Sequence, residues 1–360
     1  MTLLTAKIIQ LVGFGLGGVI VAVVCNILLL NFSKSLGIRN KNDVTVRWSS
    51  ESKPSLGGVS LFVVFIFAAI CYSIVFGETN IFQKPKYVGL FLAGSIAFVM
   101  GLADDAYNTR PMIKLVVQVL CGFLFVWSGT CITLFDNIYV DGGLTVIWVI
   151  VIMNSLNMLD NMDGITGTTS LFILVSCLMS SWIILGFNMN IWSLSLVSMI
   201  GALLGFLSMN IHPSKLFMGD AGSQFIGVFV AFFSVEFLIN SGTRLEQHSW
   251  LGVCVAIVAF TPAAVDTLTV VINRLRRGQS PMVGGRDHTT HHLVYAGLSD
   301  RKVWYVFVAI GGGSTVLAVA MVNLIQLEII VPIAFFLVYF VFVFILLFRN
   351  TIKYTQPKRK

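Results

Sequence analysis

Acidic and amide side chains stand in short polar runs of a chain that is otherwise apolar. Asp104 and Asp105 are adjacent, NSLNMLDNMDG occupies residues 154–164, FMGDAGS occupies 217–223 and GGRDHTTHH occupies 284–292. Ionised groups near hydrocarbon are costly, so acids in such surroundings indicate chemistry more often than stability. The runs therefore indicate a membrane enzyme whose polar groups lie together.

The run at 154–164 has a regular spacing. Asn154, Asn157, Asp160 and Asp163 recur at every third residue, so on a helix they form a slowly turning polar stripe that Gly164 ends. Such a stripe suits coordination of a hard cation and hydrogen bonds to a ribose or a base. A polar seam between two membrane helices is the alternative.

The adjacent acids Asp104 and Asp105 repel each other at a helix carbonyl end unless a cation is near. A metal ion, Lys114 or Arg110 could supply that charge. The alternative is that Asp105 or Asn108 caps the next helix, which would account for one acid and not for two.

The run at 217–223 places one acid among small residues. Gly219 and Gly222 allow the backbone to approach closely around Asp220, and Phe217 offers a stacking face.

The polar loop at 273–302 is rich in cations and imidazoles, a combination that suits a diphosphate ligand. No thiolate accompanies the histidines, which disfavours zinc. The residues concerned are Arg274, Arg276, Arg277, Arg286, His288, His291 and His292.

Composition identifies the solvent of this chain. Hydrophobic residues make up 57% of its 360 residues and charged residues only 11%, and its mean hydropathy is +0.90. These values predict an all-α polytopic integral membrane protein with a single domain over 1–360. Its functional loops are expected near 31–57, 104–111, 158–167, 210–222 and 273–302.

Eleven transmembrane helices are predicted from the apolar stretches. They cover residues 8–30, 58–76, 88–103, 112–135, 144–158, 168–187, 192–209, 222–239, 251–272, 303–325 and 329–348. With the N-terminus outside and the C-terminus cytoplasmic, 19 of the 23 Lys and Arg residues fall on the cytoplasmic side. All four polar runs then lie on that face. The net charge of +7 is explained by this bias, so nucleic acid need not be a partner.

The order of these motifs resembles that of the polyprenyl-phosphate N-acetylhexosamine-1-phosphate transferases. The resemblance is carried by PSLGG at 54–58, GLADD at 101–105, the three runs above and the segment 262–267. It points to the branch that uses UDP-N-acetylglucosamine (UDP-GlcNAc) and undecaprenyl phosphate.

The resemblance implies a Mg²⁺-dependent phosphotransferase, with Mn²⁺ as the alternative metal. Undecaprenyl phosphate would attack the β-phosphorus of the UDP-sugar and release UMP, the first step in making a cell-envelope polysaccharide such as lipopolysaccharide. The implied location is the bacterial cytoplasmic (inner) membrane, with the active site on the cytoplasmic face and a homodimer as the candidate assembly. Another UDP-N-acetylhexosamine is the alternative donor.

The resemblance also implies roles for individual residues. Mg²⁺ would bind Asp220 with help from Asn157. Catalytic roles would fall to Asp104, Asp105, Lys114, His288 and His291. Substrate contacts would come from Asn154, Asp160, Asp163, Phe217, Arg286 and His292.

The chain departs from the family pattern at two places. Asn161 stands where glycine is common, and the histidine run reads H-T-T-H-H where well-known branches have H-x-H-H. Since His288 and His291 are three residues apart, they share a face of a helix and His292 does not. We therefore expect the first two to contact the diphosphate.

A secondary transporter or lipid flippase is the rival interpretation from a different class. It would couple transport to an acid inside a span, such as Glu236 or Asp266. Asp266 follows the helix-bending Pro262, so it is also expected within reach of the cytoplasmic mouth.

Overall fold

The computed structural model describes residues 3–35, 53–77, 80–280, 284–329 and 333–355. Over these residues the regular structure is helical throughout, as predicted. In the described part of the chain, eight helices are long and apolar enough to cross a membrane, or nine when one bent pair is counted as a single span. The polytopic membrane fold is therefore confirmed, while length and composition alone do not reach eleven spans.

Each predicted span coincides with a helix or a pair of helices. The helices are α1 (Leu3–Ser35), α2 (Gly57–Val75), α3 (Pro85–Tyr107), α4 (Pro111–Trp127), α5 (Ile138–Leu159), α6 (Ile165–Leu185), α7 (Ile191–Asn210), α8 (Gly219–Ser234), α9 (Ser241–Arg244), α10 (Trp250–Ala259), α11 (Thr261–Arg276), α12 (Thr289–Tyr295), α13 (Asp300–Gln326) and α14 (Leu337–Lys353).

The fourth and fifth helices have different bounds from the predicted spans. α4 ends at Trp127, because the chain turns at Gly129, which has a φ of +87°. α5 begins at Ile138, where the Asn137 side chain accepts a hydrogen bond from the Tyr139 amide at 3.0 Å. Asn137, which lies between two predicted spans, therefore caps a helix.

α8 lies at the centre of the bundle. The apolar window of its span is 100% buried, and a π-helical turn, Val235–Ile239, continues it. A Cβ on Gly101 of α3 would lie 2.4 Å from the Ala221 Cα, so these two helices approach closely. Close packing of small residues thus brings the end of α3 against the beginning of α8.

Backbone hydrogen bonds join PSLGG to FMGDAGS. The Gly57 amide donates to the Phe217 carbonyl and the Gly58 amide to the Met218 carbonyl, both at 2.9 Å. The Phe217 amide donates in turn to the Pro54 carbonyl at 3.0 Å. Two motifs far apart in sequence therefore form one structural unit. Of the predicted loop 31–57, residues 36–52 lie outside the described residues.

The pair α10 and α11 is bent by 81°. The break lies at Phe260, and Pro262 stands in the first turn of α11, where a missing amide hydrogen is tolerated. The predicted bend at Pro262 is confirmed. It redirects α11 so that Asp266 contacts the histidine segment.

Candidate active site

Four helix ends bring the polar runs together. Asp104 and Asp105 lie in the last turn of α3, Lys114 in the first turn of α4, and Asp220 in the first turn of α8. Asn157 comes from the last turn of α5. Asp104, Asp105 and Asp220 are therefore helical residues and do not lie in loops.

Asp104 is buried and uses both carboxylate oxygens. Its Oδ1 accepts hydrogen bonds from the Thr109 amide at 2.8 Å and the Thr109 hydroxyl at 2.6 Å. Its Oδ2 forms an ion pair with Lys114, whose Nζ also lies 3.3 Å from the Asp220 Oδ2. Asp104 thus holds the turn between α3 and α4 and orients the lysine.

The capping alternative for the paired acids is wrong as stated. α4 is preceded by Arg110 and has no side-chain cap. Asn108 ends α3 with a φ of 50°, a left-handed conformation that asparagine tolerates. The acid that stabilises the turn is Asp104, because its oxygen reaches the Thr109 amide.

Asp105 is half-buried and points toward the FMGDAGS turn. Its Oδ2 accepts a hydrogen bond from the Ala221 amide at 3.0 Å. Gly219 has a φ of +74°, and a Cβ there would lie 2.8 Å from the Asp105 Oδ2 and 2.6 Å from the Ser55 carbonyl oxygen. Only glycine fits where these segments meet.

Asp220 and Asn157 are in direct contact. The Asn157 Nδ2 donates to the Asp220 Oδ1 at 2.6 Å and to the Ser223 Oγ at 2.8 Å. Within the described ranges, no group of three or more His, Cys, Asp or Glu side chains could hold a metal ion. Mg²⁺ commonly takes one or two carboxylates and completes its shell with water and substrate phosphates. The side-chain oxygens of Asp220 and Asn157 are suitable ligands for Mg²⁺ bound in this way.

The stripe predicted at every third residue is wrong beyond Leu159. α5 ends there, and the Asn161 Nδ2 donates to the Met158 carbonyl at 3.0 Å, which satisfies a carbonyl of the last turn. Short amide side chains end helices in this way. Gly164 then precedes α6 with a φ of +78°.

The two acids after α5 have different surroundings. Burial raises the pKa of Asp160 to about 7, with a further contribution from the charges of Asp220 and Asp105. Asp163 instead accepts hydrogen bonds from the Ser214 amide at 3.1 Å and the Ser214 hydroxyl at 2.8 Å. Asp160 thus belongs to the carboxylate cluster, while Asp163 fixes the turn before FMGDAGS.

Phe217 lies at the edge of this cluster. Its ring is half-buried, and the Lys53 Nζ lies 5.6 Å from the ring centroid. An aromatic face beside a cation suits a base that carries phosphates.

The histidine segment rests on Asp266. The His288 Nδ1 lies 2.8 Å from the Asp266 Oδ2, and the Thr289 amide and hydroxyl donate to the Asp266 Oδ1 at 2.8 and 2.6 Å. Asp266 is completely buried. The sequence alone indicated no site role for Asp266, but the bend predicted at Pro262 indicated its position.

His288 and His291 lie side by side, with ring centroids 5.5 Å apart. Burial, followed by the charge of His288, lowers the pKa of His291 to about 3. His292 faces elsewhere, because its Nδ1 contacts the Tyr354 carbonyl at the end of α14. His288 and His291 are therefore close, as predicted, but not by sharing a helix face. His288 is the extended residue that precedes α12, and its amide donates to the His291 Nδ1 at 3.4 Å.

Two arginines of the predicted loop 273–302 are already paired, and Arg274 lies in the last turn of α11, so the loop begins after Arg276. Arg274 contacts Asp287 through Nε at 3.0 Å and Nη2 at 2.7 Å, and Arg277 contacts the same carboxylate at 2.7 Å. Burial acts to raise the pKa of Asp287, but these arginines outweigh it and hold the pKa below its usual range. Sequence analysis missed Asp287 as their counter-ion. Arg286, the predicted substrate ligand, accepts a hydrogen bond at its carbonyl from the Tyr295 hydroxyl at 3.1 Å.

A hydrogen bond connects the histidine helix to the carboxylate side. The Thr290 Oγ1 donates to the Asn161 Oδ1 at 2.6 Å. The histidines and the carboxylates therefore border a common region.

Comparison with known proteins identifies relatives for this arrangement. The sequence model of glycosyl transferase family 4 matches residues 87–238, which include GLADD, NSLNMLDNMDG, FMGDAGS and Lys114. The chain is similar to this family over that stretch. The resemblance found in the motifs is thereby confirmed.

Curated relatives cover most of the chain. A protein of Bacillus subtilis named a probable undecaprenyl-phosphate N-acetylglucosaminyl 1-phosphate transferase is 27% identical over 267 residues, which are 72% of this chain and 70% of the relative. The Escherichia coli K12 undecaprenyl-phosphate alpha-N-acetylglucosaminyl 1-phosphate transferase is 28% identical over 266 residues, 70% and 68% of the two chains. A decaprenyl-phosphate N-acetylglucosaminephosphotransferase of Mycolicibacterium smegmatis is 26% identical over 294 residues, 73% and 72%.

The two departures noted in the sequence, Asn161 and the H-T-T-H-H run, meet at one contact. The Asn161 Oδ1 accepts the hydrogen bond of the Thr290 hydroxyl from the histidine run. The two differences are therefore linked in space.

Proposed function

We propose that this protein transfers N-acetylglucosamine-1-phosphate from UDP-GlcNAc to undecaprenyl phosphate and releases UMP. The observation that carries the proposal is the meeting of Asp105, Lys114, Asn157 and Asp220 at four helix ends. The histidine helix is joined to this side by the hydrogen bond from Thr290 to Asn161. The relatives are named as transferases that act on undecaprenyl phosphate and N-acetylglucosamine, and the proposed acceptor lipid and sugar follow from these names. Another UDP-N-acetylhexosamine remains the alternative donor.

Phosphoryl transfer requires positioning and charge neutralisation more than covalent chemistry by the protein. An oxygen of the lipid phosphate would bond to the β-phosphorus, and the bond from that phosphorus to the bridging oxygen of UMP would break. Bound at Asp220 and Asn157, Mg²⁺ would neutralise diphosphate charge. Lys114, which now bridges Asp104 and Asp220, would contact a phosphate oxygen.

The half-buried Asp105 is our candidate for the acid that faces the lipid phosphate, because both oxygens of Asp104 are already bonded. We place the uracil at Phe217 and the diphosphate at His288 and His291. At a pKa of about 3, His291 would act as a neutral hydrogen-bond donor.

We also propose the full topology of eleven spans, with the N-terminus outside and the site on the cytoplasmic face of the bacterial inner membrane. The charge bias of 19 to 4 supports this orientation. α4 and α14, each of 17 residues, would be the short spans. Cysteine labelling from each side checks the orientation, and light scattering checks the proposed homodimer.

The transporter alternative is disfavoured by the state of its two acids. Glu236 forms ion pairs with Lys86 at 2.7 Å and with Arg244. Asp266 is held by His288 and Thr289. Acids already bonded in this way lack the freedom that a coupling ion needs.

The direct test is UMP release by purified protein with undecaprenyl phosphate, Mg²⁺ and a panel of UDP-sugars. We expect UMP release with UDP-GlcNAc to exceed that with the other sugars. Absence of UMP release with every sugar, from protein shown to be folded, would overturn the proposal.

A further inference from the structure

Three amide side chains form a hydrogen-bonded network inside the bundle. The Asn154 Nδ2 donates to the Gln118 Oε1 at 2.7 Å. The Gln118 Nε2 lies 3.3 Å from the Asn154 Oδ1 and 3.2 Å from the Gln224 Oε1. We call Gln118, Asn154 and Gln224 the amide network.

Each member of the amide network lies on a helix that also supplies the carboxylate cluster. Gln118 follows Lys114 by four residues on α4, and Gln224 follows Asp220 by four residues on α8. Asn154 precedes Asn157 by three residues on α5. Three or four residues make about one helical turn, roughly 5–6 Å along the axis, and share a helix face.

The direction of each helix places the amide network deeper in the bilayer than the carboxylates. α4 and α8 begin at the cluster and run away from it, whereas α5 ends there. The residue one turn farther inward is the amide in every case. The network therefore forms the floor of the candidate active site on its membrane side.

One donor of this floor is unused. Gln118 and Gln224 are only 1% and 2% exposed, and the Gln224 Nε2 is buried without a hydrogen-bond partner among the described residues. A buried amide group without a partner is destabilising. An unused donor beneath a phosphate-transfer site suits an oxygen of a ligand.

The network also reaches the outer surface of the bundle. Asn154 is exposed, and the exposed residues before it on the same face of α5 are Val151 and Ile147. Spacings of three and four residues place the three side chains in one line. An apolar line that ends in an amide matches a lipid with a hydrocarbon chain and a phosphate head.

We propose that the amide network is the subsite for the phosphate head of the polyprenyl acceptor, with the isoprenoid chain lying along Ile147 and Val151. This assignment rests on the proposed function and deepens it. Asn154 would then contact the acceptor lipid and not the nucleotide. The acceptor would reach the carboxylate cluster laterally from the bilayer, while the UDP-sugar would come from the aqueous side.

The test compares the KM values for the two substrates in Gln224→Met and Gln118→Met. Methionine keeps the length of the side chain and removes the amide. We expect the KM for undecaprenyl phosphate to rise about tenfold, the scale of one hydrogen bond to a charged oxygen. The KM for UDP-GlcNAc should stay within about twofold. Asn26→Leu is the matched control: Asn26 is fully buried on α1, its amide makes no hydrogen bond among the described residues, and α1 packs on α7 and α2.

A network that only held the helices in register would change both KM values, or kcat, to a similar degree. That result, or an unchanged KM for undecaprenyl phosphate in both variants, would overturn the proposal. If Gln118→Met did not fold, Gln224→Met would decide, because Gln118 keeps its bonds to Asn154 there.

A second measurement separates this proposal from the proposed function. Thermal stabilisation by undecaprenyl phosphate without any UDP-sugar should occur in the wild type and in Asn26→Leu, and should be lost in Gln224→Met. Equal stabilisation of Gln224→Met would overturn the subsite even in a protein that released no UMP.

Discussion

The two ends of α3 and α8 both carry charges, but in opposite balance. At one end Glu236, in the π-helical turn after α8, contacts Lys86 of α3 and Arg244. At the other end Lys114 pairs with Asp104 and Asp220, and the charges of Asp105 and Asp220 act on Asp160. Among the described residues, the Glu236 cluster has more cations than anions and the Asp220 cluster has more anions than cations.

The difference indicates what each cluster does. Charges near hydrocarbon are tolerated when they are paired, and a paired cluster contributes to stability or assembly. A cluster with excess negative charge is stable only when a cation joins it, so it favours a metal ion that brings phosphates with it. We therefore treat the Glu236 cluster as structural and the Asp220 cluster as chemical.

The largest effect is expected at Asp220. Asp220→Asn removes a charge from the proposed Mg²⁺ site, so turnover should fall by about a thousandfold. UMP release measures this loss, and circular dichroism confirms that the variant is folded. Turnover that persists in Asp220→Asn, or in wild-type protein treated with EDTA, would show that the Asp220 cluster does not bind a catalytic metal ion.

Within the anionic cluster, the adjacent acids Asp104 and Asp105 should differ in their effects on catalysis and stability. Asp105→Asn should lower kcat by about a hundredfold and leave the melting temperature near that of the wild type, because Asp105 is half-buried and faces the reaction region. Asp104→Asn should lower both, since Asp104 holds Thr109 and Lys114. Equal melting temperatures for the two variants would contradict this division.

The histidines should show a graded response. His288→Ala and His291→Ala should each lower kcat/KM by about ten- to a hundredfold, the scale of a hydrogen bond to a charged group. His292→Ala should be milder, because His292 contacts the Tyr354 carbonyl. If His292→Ala proved the most damaging of the three, the assignment of the diphosphate to the first pair would be wrong.

At the end that carries Glu236, the expected change is in stability. Glu236→Gln should lower the free energy of unfolding by about 1–3 kcal/mol, because two cations lose their counter-ion while Lys86 keeps some contact with solvent. Thermal unfolding in detergent measures this change. The kcat of the folded fraction should match the wild type, and a selective loss of kcat would instead assign chemistry to this end.

The smallest effect concerns pH. With a folded-state pKa of about 7, raised from the usual value near 4, Asp160 binds its proton more tightly when the protein is folded. The stability that it contributes is therefore present at low pH and is lost as pH rises from about 4 to 7. Without Mg²⁺, the melting temperature of Asp160→Asn relative to wild type should rise over this range. A difference that does not change with pH would show that folding does not raise the pKa of Asp160.

The sequence by itself determined the features that depend on neighbouring residues. Apolar length predicted where the long helices lie, Pro262 predicted the bend, and the spacing of three residues predicted that His288 and His291 lie together while His292 does not. Hydrophobic burial and backbone geometry act over a few residues, so they can be read along the chain. The order of the motifs likewise predicted the family.

Only the tertiary structure decided which polar groups are bonded to one another. Asp105 contacts the Ala221 amide 116 residues away, and that contact separates its role from that of its neighbour Asp104. Asp287 neutralises two arginines that the sequence alone offered to a ligand. Gln118 of α4 and Gln224 of α8 meet because glycines let α4 and α8 both pack closely on α5. Such pairings depend on the relative positions of whole helices, which no local pattern specifies.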